Sequence, residues 1–191
     1  MKQLSKVSTL ILGIIAEKPV NPYEITKLLE RIQVKDWFSV ASSSVYVTIK
    51  KLDKQGHISG KNIKEGNMPE KTVYTVTKKG KKALSYTITE FLLNNELDPV
   101  KFNIACVMIC HLEKDYAMNV LKRRLLFLNG YENGIKEHYS YEKDEHLIPY
   151  PGLTIIRNNI YLVEAEIRIT EELIKEVKRD NLWNHFITRD L

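Results

Sequence analysis

Along the first half of the chain, apolar positions recur every three or four residues. Val7, Leu10, Ile11, Ile14 and Ile15 mark one face of a helix from about Gln3 to Glu17, and Lys18-Pro19-Val20 breaks it. Asn21-Pro22 opens a second helix, because Asn is a good N-cap and Pro suits the first helical position, where its missing N–H has no partner to lose. Ile25, Leu28, Leu29 and Ile32 form its inward face, and Trp37 and Phe38 lie in the connection that follows. Ser42-Ser43-Ser44 offers the cap of a third helix that runs to Gln55 and stops at Gly56. Beyond Gly56 the period shortens to two. His57 to Ile63 and Thr72 to Val76 alternate as strands do, joined by a loop longer than a two-residue turn. Thr77 caps a fourth helix with Leu84, Ile88, Phe91 and Leu92 inward.

Asp98-Pro99 opens a second region. Val100 to His111 reads as a short helix that is apolar almost all round and therefore buried. A long helix follows from about Asp115 to Tyr141, with Met118, Leu121, Leu125, Leu128, Ile135 and Tyr139 on a stripe that only Glu132 interrupts. Leu147 to Gly152, with Pro149 and Pro151, is a predicted turn. The last helix is predicted from Leu153 to about Phe186, with Ile156, Ile160, Val163, Ile167, Ile174 and Val177 on its stripe and Thr170 in a polar slot. At ~1.5 Å per residue each long helix spans roughly 40–50 Å. Two such stripes carry more apolar edge than a small neighbouring domain covers. A homodimer seam through Met118, Leu121, Leu125, Leu128, Ile156, Ile160, Val163, Ile167 and Ile174 is one expectation; a closed intramolecular bundle is the other.

The order helix, helix, helix, hairpin, helix is that of a winged helix-turn-helix. The expected fold is mostly α. A winged helix-turn-helix with a small two-stranded wing occupies residues 1–96, and a helical dimerisation and effector domain occupies residues 97–191.

Charge divides the chain in a similar place. Residues 1–84 hold 16 Lys+Arg against 7 Asp+Glu, whereas residues 85–191 hold 13 against 17. The basic half is a candidate polyanion binder, or else a solvated lysine-rich surface. The third helix separates these readings. At ~100° per residue, Val45, Ile49 and Leu52 cluster on one side, and Ser43, Val47, Lys50, Lys51 and Lys54 lie opposite. A helix in a DNA major groove needs this arrangement: small side chains near its N-terminus approach base edges, and cations further along neutralise phosphates. Ser43, Ser44 and Val47 are the candidate base-reading residues, Ser42 is a further candidate DNA contact, and Tyr46 sits where its hydroxyl can reach a phosphate. Lys50, Lys51, Lys54, Lys64 and Lys71 are the candidate phosphate contacts, with Lys61 on the hairpin and Asn67 and Gly66 at its tip. Lys78, Lys79, Lys81 and Lys82 open the fourth helix, and only some of them can face DNA.

Other chemistry is excluded or weakened. The longest apolar run, Ile104 to Cys110, is far short of the ~20 residues that span a bilayer, so no membrane partner is expected. Cys106 and Cys110 read as buried thiols of a reducing, cytoplasmic compartment. Cys106, Cys110 and His111 lie in hydrocarbon surroundings with no evident third and fourth ligand, and His138, Glu142, Glu145 and His146 read as a solvated face, so neither metal nor cofactor is expected. No Gly-rich phosphate loop, nucleophile elbow or zincin motif is present, which argues against an enzyme, save one whose site is built across two chains.

Three blocks carry a family resemblance. Leu12-Gly13-Ile14-Ile15 with Pro22-Tyr23-Glu24-Ile25 resembles the opening of PadR-like regulators. Ser44 to Ile58 resembles that family's recognition helix, and Lys71 to Leu84, a tyrosine strand leading into Thr-x-x-Gly, resembles its closing motif. Tyr23 of the opening block thereby joins the candidate DNA contacts. Pro22 stands where the family usually has glycine, and Met68-Pro69-Glu70-Lys71 replaces a common wing arginine. The region after Asp98 is similar to the longer C-terminal helical domain of this family. The resemblance implies a homodimeric bacterial regulator of double-stranded DNA, often a repressor, sometimes released by a small aromatic or drug-like effector. Trp37, Trp183 and Phe186 are candidates to line such a pocket, or to fill the core. A winged helix used only for protein contacts is the competing function.

Overall fold

Ser5 sets where the first helix starts. Its Oγ accepts the Ser8 N–H at 3.2 Å, so α1 (Lys6–Glu17) begins later than the apolar spacing from Gln3 suggests. The structure is a computed structural model that describes residues 2–64, 70–94, 96–145 and 147–179. These form two compact units, one ending at Glu113 and one beginning at Lys114, with 96–97 grouped with the second.

In the first unit α1 is the central element. Leu10, Ile11, Leu12, Ile14 and Ile15 are all at most 1% exposed, so the helix is buried on every side rather than on the single stripe expected. Helix α2 (Pro22–Arg31) starts with the predicted cap and adds a capping box. The Asn21 Oδ1 accepts the Glu24 N–H at 3.0 Å, and the Glu24 carboxylate accepts the Asn21 N–H at 3.1 Å. Helix α3 (Ser42–Lys54) packs on α1 and α2 through Val45, Thr48, Ile49 and Leu52. Its cap corrects the sequence expectation. The capping position is Ala41, with no side-chain bond, and the three serines form the first helical turn. The cause is apolar: Val40 before the cap and Val45 in the second turn are both buried and line the same small cavity, a hydrophobic staple that outweighs a hydroxyl cap.

Strands β1 (Ile58–Ile63) and β2 (Lys71–Val76) pair antiparallel, from Ile58 opposite Val76 to Ile63 opposite Lys71. Val20 adds a single bridge to this hairpin. It exchanges both backbone hydrogen bonds with Tyr74, at 3.2 and 3.0 Å, so the segment predicted only to break α1 also ties the α1–α2 connection to the wing.

Helix α4 (Lys78–Leu92) is capped by Thr77 as expected, and this junction does more than cap. The Thr77 Oγ1 accepts the Gly80 N–H at 3.0 Å and donates towards the carbonyls of Gly56 at 2.8 Å and His57 at 3.1 Å. Gly80 lies so close that a Cβ would stand 2.1 Å from the His57 carbonyl oxygen. The exit of α3, the root of β1 and the start of α4 are therefore clamped together.

The first unit also includes α5 (Pro99–Val107), which packs on α4 and α1. Asp98 caps it, its Oδ1 accepting the Val100 and Lys101 N–H groups at 3.1 Å each, while its Oδ2 pairs with Lys6 at 2.7 Å. Gly13 admits the fully buried Met108 against α1, where a Cβ would fall 2.0 Å from its sulfur. This packing carries the unit to Glu113, past the boundary drawn at residue 96 from charge and the Asp98-Pro99 break. The predicted helix to His111 also ends early, α5 giving way to a 3-10 turn at Ile109–His111.

The second unit is a helical hairpin of α6 (Lys114–Asp144) and α7 (Tyr150–Lys178). Pro149 stands at the N-cap position of α7 with no side-chain capping bond and Pro151 sits in its first turn, so the helix starts inside the segment predicted to be a turn. Arg157 donates to the Tyr139 hydroxyl at 2.6 Å, Lys136 pairs with Glu164 at 2.8 Å, and Arg124 pairs with Glu166 at 2.5 Å, an antiparallel sequence of cross-links. Arg124 is only 4% exposed, so this last pair is buried in the seam. It corrects the predicted stripe. Ala117, Val120, Leu121, Arg124 and Leu128 are the buried set on α6, while Met118 and Leu125 lie half-buried beside them. The predicted end of α7 near Phe186 lies outside the described residues. Among the described residues, no helix is long and apolar enough to cross a membrane.

Gly80→Ala is expected to lower stability by about 1–3 kcal/mol, the usual effect of overpacking, because its methyl must displace a backbone carbonyl. Gly134→Ala, where a Cβ meets nothing within 4 Å, should be neutral or stabilising; urea denaturation of both variants compares them. Glu166→Ala should be destabilising by about 3–5 kcal/mol, since it leaves a buried guanidinium without its carboxylate. Pairing it with Arg124→Met should recover most of that loss in the same assay.

Candidate nucleic-acid interface

With one face of α3 spent on the core, the opposite face is open. Val47 is 66% exposed and Tyr46 47%, and Ser42, Ser43, Lys50, Lys51 and Lys54 are exposed, with Ser44 half-buried. A β-branched apolar side chain so exposed has no packing role among the described residues. On a helix that otherwise presents hydroxyls and ammonium groups, it suits contact with the methyl of a thymine. Tyr23 stands 63% exposed on the first turn of α2. Lys27, one turn on, sits 5.8 Å from the centre of the Tyr23 ring and 2.9 Å from the Glu30 carboxylate. Its pKa is raised above 10.5, chiefly by the hydrogen bond to Glu30 and then by the charge of Glu30.

The wing is held by local contacts. Asn62 Oδ1 accepts the Thr72 hydroxyl at 2.9 Å near the end of the hairpin, and at Gly60 a Cβ would stand 2.9 Å from the Tyr74 ring. Lys61 and Lys64 are exposed and Lys71 is half-buried. Gly66, Asn67, Met68 and Pro69 lie outside the described residues.

Of the four lysines that open α4, Lys79 has a structural task that spacing did not reveal. Its Nζ donates to the Gln55 carbonyl at 2.6 Å, satisfying the C-terminal end of α3 where the helix dipole is negative. Lys78, Lys81 and Lys82 are exposed. His57 beside the same junction is held below its usual pKa of 6.5 by burial and then by Lys79, so it stays neutral at pH 7 and adds no cation to the basic face.

The remaining predicted site residues fall as follows. Trp37 is half-buried and stacks on Phe38 with ring centres 6.2 Å apart. Trp183 and Phe186 lie outside the described residues, as does His146. A cavity under α2 and α3, lined by Leu29, Val34, Val40 and Val45, measures only about 10 Å³, which holds at most one water and no aromatic effector. Of the predicted dimer residues, Leu121, Leu128, Ile160 and Val163 are buried within this one chain, and Met118, Leu125, Ile156, Ile167 and Ile174 are half-buried. Large apolar side chains that do face solvent on α6 and α7 include Leu126, Phe127, Tyr131, Ile155, Tyr161, Leu162 and Ile169.

Residues 11–86 match the sequence model of the transcriptional regulator PadR-like family, a family of regulators rather than enzymes. The chain is 26% identical over 115 residues to the negative transcriptional regulator PadR of Bacillus subtilis (strain 168), an alignment covering 60% of this chain and 63% of that protein. Among solved structures, B. subtilis PadR in complex with operator DNA is similar at 18% identity and a TM-score of 0.41, covering 89% of this chain and 98% of that one. A transcriptional regulator from Clostridium thermocellum is similar at 27% identity and a TM-score of 0.39, covering 44% and 79%. Residues 11–86 of this chain thus resemble the transcriptional regulator PadR-like family.

Proposed function

We propose that this chain binds double-stranded DNA sequence-specifically and represses transcription as a homodimer on an inverted-repeat operator. The observation that carries this reading is the open face of α3, where Ser43, Val47, Lys50 and Lys54 stand exposed opposite a fully packed Val45, Ile49 and Leu52. Val47 and the first-turn serines face base edges, while Lys50, Lys54, Lys64 and Lys71 contact phosphates. A two-fold dimer would set its two α3 helices roughly 34 Å apart, in successive major grooves. The repressor role is supported by the sequence relative, which is named a negative regulator.

Dimerisation is supported by the exposed apolar side chains of α6 and α7. Leu126 is 76% and Ile155 66% exposed, and Phe127, Tyr161, Leu162 and Ile169 also face solvent, more apolar surface than a monomer usually leaves open. The contact residues of the dimer are then this outer set rather than the buried seam. Control by a small aromatic or drug-like effector belongs to the same reading, with Trp37 as its described aromatic.

Fluorescence anisotropy with the DNA upstream of the chain's own gene and a scrambled control tests the DNA reading. With about eight neutralised phosphates per dimer, log affinity should fall against log salt with a slope near −7, and the upstream DNA should outlast the control. Lys50→Ala should weaken both DNAs alike and reduce that slope by about 2 per dimer. Val47→Ala should instead alter the ratio between the two DNAs. Equal, small effects from both would overturn the assignment, and no binding to either DNA would favour a protein-contact role. In light scattering, Leu126→Glu together with Leu162→Glu should convert a dimer to a monomer; an unchanged mass would remove this face as the interface.

A further inference from the structure

Glu17 ends α1 in an electrostatically poor position. Both oxygens of its carboxylate are buried and neither has a hydrogen-bond partner. It stands at the helix C-terminus, where the backbone already contributes partial negative charge, and the last turn of α1 contains no basic residue. A buried carboxylate in that setting calls for a positive partner. The side chains beside it are a thiol and an imidazole. One ligand atom each of Glu17, Cys110 and His111 lie within 4.8 Å of one another, and all three side chains are half-buried.

We infer that Glu17, Cys110 and His111 form a binding site for a divalent cation of the zinc class. The donor set decides the class. A thiolate with an imidazole prefers zinc-like ions, whereas magnesium and calcium take oxygen ligands. Three protein ligands leave the fourth tetrahedral position for water or another ligand. Donor atoms bound at about 2.0–2.3 Å to one tetrahedral ion lie roughly 3.3–3.6 Å apart. The cluster, whose atoms lie within 4.8 Å of one another, would have to contract by roughly an ångström to hold the ion.

The backbone supports the site on two sides. Cys110 and His111 lie in the 3-10 turn that follows α5, and the Ser85 hydroxyl of α4 donates to the His111 carbonyl at 3.3 Å. A cavity of about 210 Å³ lined by Ala16, Lys81, Leu84, Ser85 and His111 offers a route in from solvent. Lys81 is the cation on that route; its side chain is exposed and able to turn into water. Binding would release the Cys110 thiol proton and fasten the end of α1 to the turn after α5. The site lies apart from the open face of α3 and requires nothing of the DNA reading.

Cobalt(II) titration of the purified full chain tests the site, read as near-ultraviolet thiolate-to-metal absorption and displaced by added zinc. Wild type and Cys106→Ser should both give the band at about one equivalent per chain. Cys110→Ser should lose it, and Glu17→Gln should weaken binding at least roughly tenfold, since charge-assisted ligation to the ion disappears. No band in wild type, a band that persists in Cys110→Ser, or unchanged affinity in Glu17→Gln would overturn the proposal. Should Cys110→Ser fail to fold by circular dichroism, alkylation of wild type mapped by mass spectrometry gives an independent reading. Zinc should protect Cys110 and leave Cys106 as reactive as before; equal protection of both, or none, would refute the site.

Discussion

The clamp at Thr77 is the contact on which the placement of the interface depends. One hydroxyl caps α4 and reaches the carbonyls of Gly56 and His57 at the exit of α3, and Gly80 clears the space that lets those carbonyls approach. Lys79 adds a third tie by holding the Gln55 carbonyl. An exposed helix face reads DNA only if its angle to the rest of the domain is fixed, because base contacts require positions accurate to a fraction of an ångström. Here the fixing groups are backbone carbonyls, which cannot change rotamer. Thr-x-x-Gly thus has a physical content: a cap, a close approach and a hinge that does not bend.

Around that clamp the first unit is organised by a helix with no free face. Because α1 is buried on all sides, each neighbour has to find its place on it, and small residues set how close each comes. Gly13 admits Met108, and Ser8 and Thr9 are buried without bulk. Val20 then links the α1–α2 connection to the wing through two backbone hydrogen bonds to Tyr74. The wing is therefore anchored at both its root and its middle, so its lysines are presented from a supported strand pair.

The second unit solves a different problem. Two helices of about 45 Å, by ~1.5 Å per residue, have one apolar seam between them and still carry large apolar groups outside it. The buried Arg124–Glu166 pair within the seam is weak evidence for stability, since desolvation offsets its attraction. A slipped hairpin would bury one charge without the other, so the pair disfavours other registers. With register fixed, the outer side chains of α6 and α7 occupy defined places, as a repeated contact between two copies would need.

What the sequence alone determined was whatever depends on near neighbours. Helix periodicity placed α1 to α4 and the two long helices, a period of two placed the hairpin, and ~100° arithmetic separated Val45, Ile49 and Leu52 from Ser43, Val47 and Lys50. The Asn21 and Thr77 caps were legible for the same reason, since a cap bonds a backbone group two or three residues away. The cap of α3 was not, because the burial of Val40 and Val45 outweighed the three hydroxyls, and burial is a property of the folded core. Tertiary structure alone decided the remaining points. It moved the end of the first unit to Glu113 by docking α5 on α1, and rotated the α6 stripe to meet a carboxylate 42 residues away. It also set Glu17 beside Cys110 and His111. Residues so far apart in the chain leave no shared period or spacing to read; only the packing of the helices that carry them brings them together.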